Sequence, residues 1–179
     1  MATKATIIRA ELEIADMNRN YYQTHQLTLA QHPSETHERV MMRLVAFALH
    51  ANEERLSFTR GISTDTEPDL WQKDLSDQIG LWIELDQIDE KRIKRACGVA
   101  DQVVIYTCQP RNALPWWKQM EARLKRFGNL TVAAIDVISD CRIEALLNRS
   151  MQLQCTVQDN TVHLSNSSQS VELRSRSLM

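Results

Sequence analysis

The chain reads as a mixed α/β domain, with a central mixed β-sheet flanked by helices and β-hairpins at its N- and C-terminal ends. Three patterns predict this. Apolar and polar residues alternate near both termini, with the two-residue period of half-buried strands. Val40, Met41, Leu44, Val45, Ala48 and Leu49 recur at helical spacing. In the middle, two short apolar runs separated by a charged segment have the dimensions of a β-α-β crossover with parallel strands. The 179 residues suit a single domain, 1–179. A chain of that size can bury roughly 70% of its unfolded surface, enough for a core without disulfides or metal staples.

In order, Ile8, Ala10, Leu12 and Ile14 face one way and Arg9, Glu11 and Glu13 the other, a strand over residues 6–14. Residues 16–20 are turn-rich and residues 21–30 alternate again, completing a hairpin. His32-Pro33-Ser34 stops it, and Ser34 is placed to cap a helix with Glu35 and Glu38 at its positive end. Residues 56–60 read as a short strand, Gly61 to residue 67 as a polar loop, and Ile79–Leu85 as a strongly apolar strand. Asp89 caps the next helix, Ile93, Ala96 and Cys97 face inward, and Gly98 ends it. Residues 103–107 are a buried β-branched strand. A further helix is predicted with Pro115 in its first turn, Trp117, Met120, Leu124 and Phe127 as its inner stripe and Gly128 as its stop. Leu130–Val137 suits a strand covered on both faces. Residues 140–148 predict a short amphipathic helix, and Met151, Leu153, Cys155 and Val157 lead to an Asp159-Asn160 hairpin turn. The Ser-rich end from about residue 165 is expected to fray.

Composition excludes several classes. Gly 4 and Pro 4 rule out collagen-like and Gly/Pro-rich chains, and 43% hydrophobic content rules out wholesale disorder. No run reaches the ~18–20 apolar residues a membrane helix needs, and Met1 to Ile7 carries no signal-peptide core, so no membrane association and a cytoplasmic location are expected. Cys97, Cys108, Cys141 and Cys155 form no C-x-x-C pair and no zinc spacing, which suits reduced thiols. There is no G-x-S-x-G elbow, G-x-G-x-x-G turn or Walker loop. His25, His32, His37, His50 and His163 fall in no metal-binding pattern.

The informative stretch is Pro68-Asp69-Leu70-Trp71 followed by Leu81-Trp82-Ile83-Glu84-Leu85-Asp86. Strand alternation puts Glu84 and Asp86 on one face, and a neighbouring segment carrying Asp69 would add a third carboxylate. Such groups repel one another and resist desolvation, so they call for a counter-cation, and oxygen ligands suit Mg²⁺ or Mn²⁺. The structural alternatives are Asp69 as a turn residue after Pro68, Glu84 paired with Lys91 or Arg92, and Asp86 as a turn residue.

This stretch resembles the P-D…(D/E)-x-K signature of the PD-(D/E)xK nuclease superfamily, with Asp69 as the first acid and Glu84 as the second. Asp86 stands where that pattern has lysine. Ser34-Glu35-Thr36-His37-Glu38-Arg39-Val40-Met41-Met42-Arg43-Leu44-Val45-Ala46-Phe47-Ala48-Leu49, Glu67-Pro68-Asp69-Leu70-Trp71, Leu81-Trp82-Ile83-Glu84, Asp89-Glu90-Lys91-Arg92 and Lys94-Arg95-Ala96-Cys97-Gly98 together resemble the bacterial YaeQ family over nearly the whole chain. The resemblance implies a compact restriction-endonuclease-like core of PD-(D/E)xK type, and it supplies no reaction of its own. It implies a metal site built on Asp69 and Glu84, with Asp86 beside them and Glu38 joining from the preceding helix, Glu35 being the less favoured alternative. Gln87, or Lys91 reaching back from its helix, would orient the attacking water in place of the missing lysine.

Net charge sharpens the expectation. Lys+Arg 21 against Asp+Glu 23 gives −2, which argues against holding nucleic acid by bulk charge. By segment, however, residues 65–88 carry −6 and residues 89–126 carry +5. An acidic pocket for metal is thus followed by a basic flank for phosphates, with Lys91, Arg92, Lys94 and Arg95 as nucleic-acid contacts and Trp116 as a stacking surface. The expected function is a monomeric, nuclease-like protein with a divalent-metal site. The alternative is a catalytically degenerate scaffold that binds nucleic acid or a protein partner; a third reading makes the clustered acids purely structural.

Overall fold

The computed structural model describes residues 4–179, so the expectation for Met1 to Thr3 lies outside the described residues. The strands are β1 (Thr6–Asp16), β2 (Tyr21–Gln31), β3 (Leu56–Phe58), β4 (Leu70–Lys73), β5 (Ile79–Leu85), β6 (Ala100–Thr107), β7 (Leu130–Val137), β8 (Ser150–Gln158), β9 (Thr161–Ser165) and β10 (Ser170–Ser177). The helices are α1 (His37–Leu49), α2 (Glu90–Val99) and α3 (Pro110–Leu124). Among the described residues all ten strands join one sheet, in the order β2-β1-β8-β9-β10-β7-β6-β5-β4-β3. Its centre is parallel, β5 with β6 and β6 with β7, each pair linked through a helix. The terminal hairpins are not appendages: β1 runs parallel to β8, with Ala10, Leu12 and Ile14 opposite Met151, Leu153 and Cys155.

The sheet is nearly barrel-shaped because both of its edges come to one helix. Nine consecutive residues of α1, Val40 to Ala48, are buried, so no side of that stretch faces water. Phe47 meets His25 of β2 edge-on at 5.2 Å and stacks on Phe58 of β3 at 5.3 Å. Arg43, fully buried, donates from Nη1 to Ala30 O at the end of β2 (3.1 Å) and from Nη2 to Thr59 O just past β3 (3.0 Å). Its charge is met by Glu35 Oε2 at 3.3 Å. Gly61, at φ +63°, lets the chain turn against this guanidinium, where a Cβ would lie 3.4 Å from Arg43 Cζ. A second core lies on the outer face of β5–β7, where Trp82, Val103, Ile105 and Val132 pack against Ile93 of α2 and Trp117 and Leu124 of α3.

Several local expectations are corrected. Thr36, not Ser34, caps α1, its Oγ1 accepting from Arg39 N at 3.2 Å, while the Ser34 hydroxyl bonds His32 Nδ1 instead. The third strand is shorter, ending at Phe58. Gly98 lies within α2, and Pro115 lies inside α3, which starts at Pro110 and ends at Leu124, before Gly128. The helix expected over residues 140–148 is a 3-10 turn, Ile143–Leu146. The Ser-rich end does not fray: β10 pairs with β9 on one side and β7 on the other, burying Val171 and Leu173, which alternate with the polar Ser170, Glu172 and Arg174. Asp89 does cap α2, accepting from Arg92 N at 2.8 Å. Among the described residues no helix is long and apolar enough to cross a membrane.

Two predictions follow from these contacts. Arg43→Met leaves Glu35 in the interior with half its compensation and unpairs two carbonyls; urea unfolding should show a loss of about 3–5 kcal/mol. His50, whose Nε2 lies 2.7 Å from Tyr106 Oη, has its pKa lowered to about 4 by burial, with Arg19 adding to the shift. The unfolded chain takes up that proton near 6.5, so stability present at neutral pH is lost as pH falls from about 6.5 toward 4. By pH 5 this one group should cost about 2 kcal/mol, and unfolding curves at pH 7 and pH 5 should lose that component in His50→Gln.

Candidate functional site

β4 and β5 bring the two leading acids together. Asp69, just ahead of β4, is locked into the sheet by its own backbone: its N–H donates to Ile83 O (3.0 Å) and its carbonyl accepts from Thr59 N (3.2 Å). Its side chain then reaches around the end of β5, where Oδ2 accepts from Leu85 N at 2.8 Å. Glu84 points to the outer face of β5, the same face as Trp82, as the two-residue period requires. Its Oε1 accepts from Trp82 Nε1 at 3.0 Å and from Arg92 Nε at 2.7 Å. Both acids are 2% exposed.

Each is met by an arginine. Arg39, from the first turn of α1, places Nη1 2.7 Å from Asp69 Oδ1 and 2.9 Å from Glu35 Oε1, Nη2 2.8 Å from Asp69 Oδ2, and Nε 2.7 Å from Asp86 Oδ2. Arg92, in the first turn of α2, holds Glu84 and also donates to the carbonyls of Asp65 (3.0 Å) and Glu67 (2.9 Å), tying the 64–68 loop to the helix. Alternation would have aimed Asp86 to the same side as Glu84. Instead the strand has ended, and Asp86 adopts φ +74°, a left-handed conformation that Asp tolerates better than most residues. That turn swings its carboxylate toward α1 and Arg39.

These groups line a cavity of about 420 Å³ at the carboxyl end of β5, where open α/β sheets commonly hold ligands. Asp65, Asp69, Glu84, Asp86 and Asp89 face two cations there, Arg39 and Arg92. Burial raises the Glu84 pKa, outweighing the Arg92 and Trp82 hydrogen bonds that lower it. For Arg39, burial favours losing the proton, but the Asp69 and Asp86 carboxylates more than reverse this and hold the charge firmly.

The expected residues divide. Asp69, Glu84, Asp86, Gln87 and Arg92 share this cavity. Glu38 lines an adjoining one of about 170 Å³, joined to the first through Arg39, Asp86 and Gln87. Its pKa is raised by burial and by the Glu144 and Asp86 charges. Lys91 is absent from both linings: it is exposed on α2, as are Lys94 and Arg95. Arg92, expected either as a nucleic-acid contact or, with Lys91, as a structural partner of Glu84, is that partner. Trp116 is half-buried with its Nε1 donating to Ile88 O at 3.1 Å, so its polar edge is committed to the fold. Glu35 is buried between Arg39 and Arg43. Arg39 is not among the residues expected at the site, although the sequence carries a signal for it: Glu35, Arg39 and Arg43 are spaced four apart at the start of an otherwise apolar helix.

A hard divalent cation is compatible with this donor set. The donors are oxygens and the carboxylates outnumber the arginines. Among the described residues, fully buried Asp69 Oδ1 has no aligned hydrogen-bond donor, its Arg39 contact being a charge contact only. Among the described residues no three His, Cys, Asp or Glu side chains converge to hold an ion unaided. Mg²⁺ needs no such cage, since one or two carboxylates with waters and substrate phosphates suffice.

Known proteins match this chain over nearly its full length. A family profile described as "YaeQ protein" matches residues 1–175. The chain is 43% identical over 173 residues to the "Uncharacterized protein YaeQ" of Escherichia coli (strain K12), covering 97% of this chain and 95% of that one. It is 42% identical over 174 residues to the protein of the same description from Salmonella typhi, covering 97% and 96%. Among solved structures, the YaeQ protein from Xanthomonas axonopodis pv. citri superposes with a TM-score of 0.90 at 42% identity, covering 98% of each chain. The YaeQ protein from Pseudomonas syringae gives 0.88 at 29% identity, covering 98% of this chain and 96% of that one.

The different placements of neighbouring basic residues make a direct prediction. Arg92→Met strands Glu84 in the interior and should cost about 3 kcal/mol in urea unfolding. Lys91→Met, one position away on the exposed face, should stay within about 0.5 kcal/mol of wild type.

Proposed function

The chain belongs to the YaeQ family, and on that premise we propose that it is a nuclease-like protein that uses Mg²⁺ or Mn²⁺ to hydrolyse phosphodiester bonds of nucleic acid, on a core of PD-(D/E)xK restriction-endonuclease-like type. One observation carries the reading. Two buried acids, Asp69 just ahead of β4 and Glu84 on β5, line the acidic cavity at the end of β5, and among the described residues Asp69 Oδ1 lacks an aligned donor. Carboxylates this deeply buried are costly to desolvate and are kept where a cation, resident or visiting, compensates them.

Asp69 and Glu84 are the residues that would hold the ion, which when bound supplies charge to polarise the phosphate and acidify a water. Arg92 orients Glu84 by a hydrogen bond to one oxygen, leaving the other for the cavity. Gln87 lines the same cavity with a buried Nε2 that has no partner among the described residues, a donor suited to a water or phosphate oxygen. Asp86 borders it from the α1 side, and Glu38 serves the adjoining pocket. Lys91, exposed on α2, belongs with Lys94 and Arg95 to a basic flank that would attract the nucleic-acid backbone from outside. The protein would work as a monomer in the cytoplasm.

A second reading, a degenerate scaffold that binds nucleic acid or a protein partner without cleaving, is favoured by the arginine already paired with each leading acid. Incubation with single- and double-stranded DNA and RNA, with and without Mn²⁺, separates the two. Metal-dependent cleavage, reduced by about 100-fold or more in Glu84→Gln, is expected. Binding that persists without cleavage at any metal concentration selects the scaffold, and neither binding nor cleavage overturns both.

A further inference from the structure

We propose that Arg39 stands in for the missing motif lysine: it holds the Asp69 carboxylate until a divalent cation takes that seat, then passes to a phosphate oxygen of the substrate. This rests on the metal-dependent reading above and names the residue that completes its charge set.

Elimination among the cations at the site points to Arg39. Asp86 occupies the lysine position itself, Lys91 is exposed on α2 outside the cavity, and Gln87 carries no charge. Arg43 is fully buried and bonded to two backbone carbonyls. Arg92 is likewise anchored to the carbonyls of Asp65 and Glu67, besides Glu84. Moving either would unpair backbone groups. The contacts of Arg39 are of another kind: Glu35, Asp69 and Asp86, all carboxylates. Its side chain is 16% exposed and lines both adjoining cavities, so it has room to shift.

The chemistry of exchange follows. Arg39 donates from Nη2 to Asp69 Oδ2 and sets Nη1 against Oδ1 as a charge contact; a phosphate oxygen can take over both the hydrogen bond and the charge contact. While it sits there it competes with any ion for Asp69. An ion bound to Asp69 cancels the charge that holds the guanidinium, and an arriving phosphate offers an equivalent anion. Glu35 and Asp86 keep the side chain tethered beside the cavity during the exchange. Arg39 is therefore both an internal competitor for the metal seat and the cation that meets the substrate, two roles that a mutation moves in opposite directions.

Calorimetric titration with Mn²⁺ tests this on wild type, Arg39→Lys, Arg39→Gln and Asp69→Asn, with circular dichroism confirming the fold of each. Arg39→Gln should bind Mn²⁺ roughly tenfold more tightly than wild type, with Arg39→Lys between them. Asp69→Asn should lose the ion. Metal-dependent cleavage should fall in Arg39→Gln and be partly kept in Arg39→Lys. In wild type, which needs no variant to fold, Mn²⁺ should accelerate modification of Arg39 by an arginine-selective dicarbonyl, read by peptide mass spectrometry. Should either Arg39 variant fail to fold, that labelling decides alone. Mn²⁺ binding that depends on Asp69 but is no tighter in the Arg39 variants, with labelling unmoved by the ion, overturns the role of Arg39 and leaves the metal site standing. No Mn²⁺ binding in any form overturns both.

Discussion

The constraint on which this architecture rests is that a helix enclosed by its own sheet carries two arginines. Arg39 and Arg43 lie one turn apart on α1, and a guanidinium cannot lose its charge to escape burial. Every group that answers them is therefore drawn to the helix. Glu35 serves both, sitting 2.9 Å from Arg39 and 3.3 Å from Arg43. Arg43 takes a carbonyl from each edge of the sheet, at Ala30 and Thr59, and so ties together strands that are not hydrogen-bonded to each other. Arg39, nearer the open end, takes carboxylates from Asp69 and Asp86 instead. The same helix thus closes the sheet at one level and assembles a polar site at the next.

β5 divides that site between two cores. Its inner face, with Ile83 and Leu85, packs against α1 and its surroundings, whereas Trp82 belongs to the layer under α2 and α3. Glu84, on the Trp82 side, would be an isolated charge in an apolar layer without Arg92. Asp69 and Asp86 are answered from the α1 side. The cavity forms where the two layers part, and the positive φ of Asp86 is the hinge that lets one strand end supply carboxylates to both. Such a backbone conformation costs of order 1 kcal/mol outside glycine, which here is offset by the Arg39 ion pair. A site compensated from both sides is also poised: each acid has a partner, and each partner is a group an incoming cation would have to displace or accommodate.

What could be read from residue order was whatever repeats with a local period or depends on neighbours in the chain. The alternation of β1 and β8, the apolar run of β5, the Asp89 cap of α2 and the crossover from β5 to β6 belong to this class. So does the convergence of Asp69 and Glu84, because a short antiparallel hairpin joins β4 to β5. Structure departs from local pattern where two local signals compete. Ser34 and Thr36 are both acceptable caps, and the His32 ring claims the first. The serines of the C-terminal segment suggested fraying, but Val171 and Leu173 between them hold a strand once β9 and β7 lie on either side.

The sequence by itself determined the mixed α/β class, the positions of most elements and the family, since these follow from periodicity, capping and the order of motif blocks. It also pointed to the acids between residues 69 and 86 as the candidate site. Only the tertiary structure decided which charges those acids meet. Lys91 and Arg92 are neighbours in the chain, yet the helix turns one to solvent and the other onto Glu84. Arg39 reaches its partners across 30 and 47 residues of chain, at Asp69 and Asp86. Charge pairing at that separation leaves no local pattern, because it is set by how the sheet curls around α1 and not by what stands beside a residue.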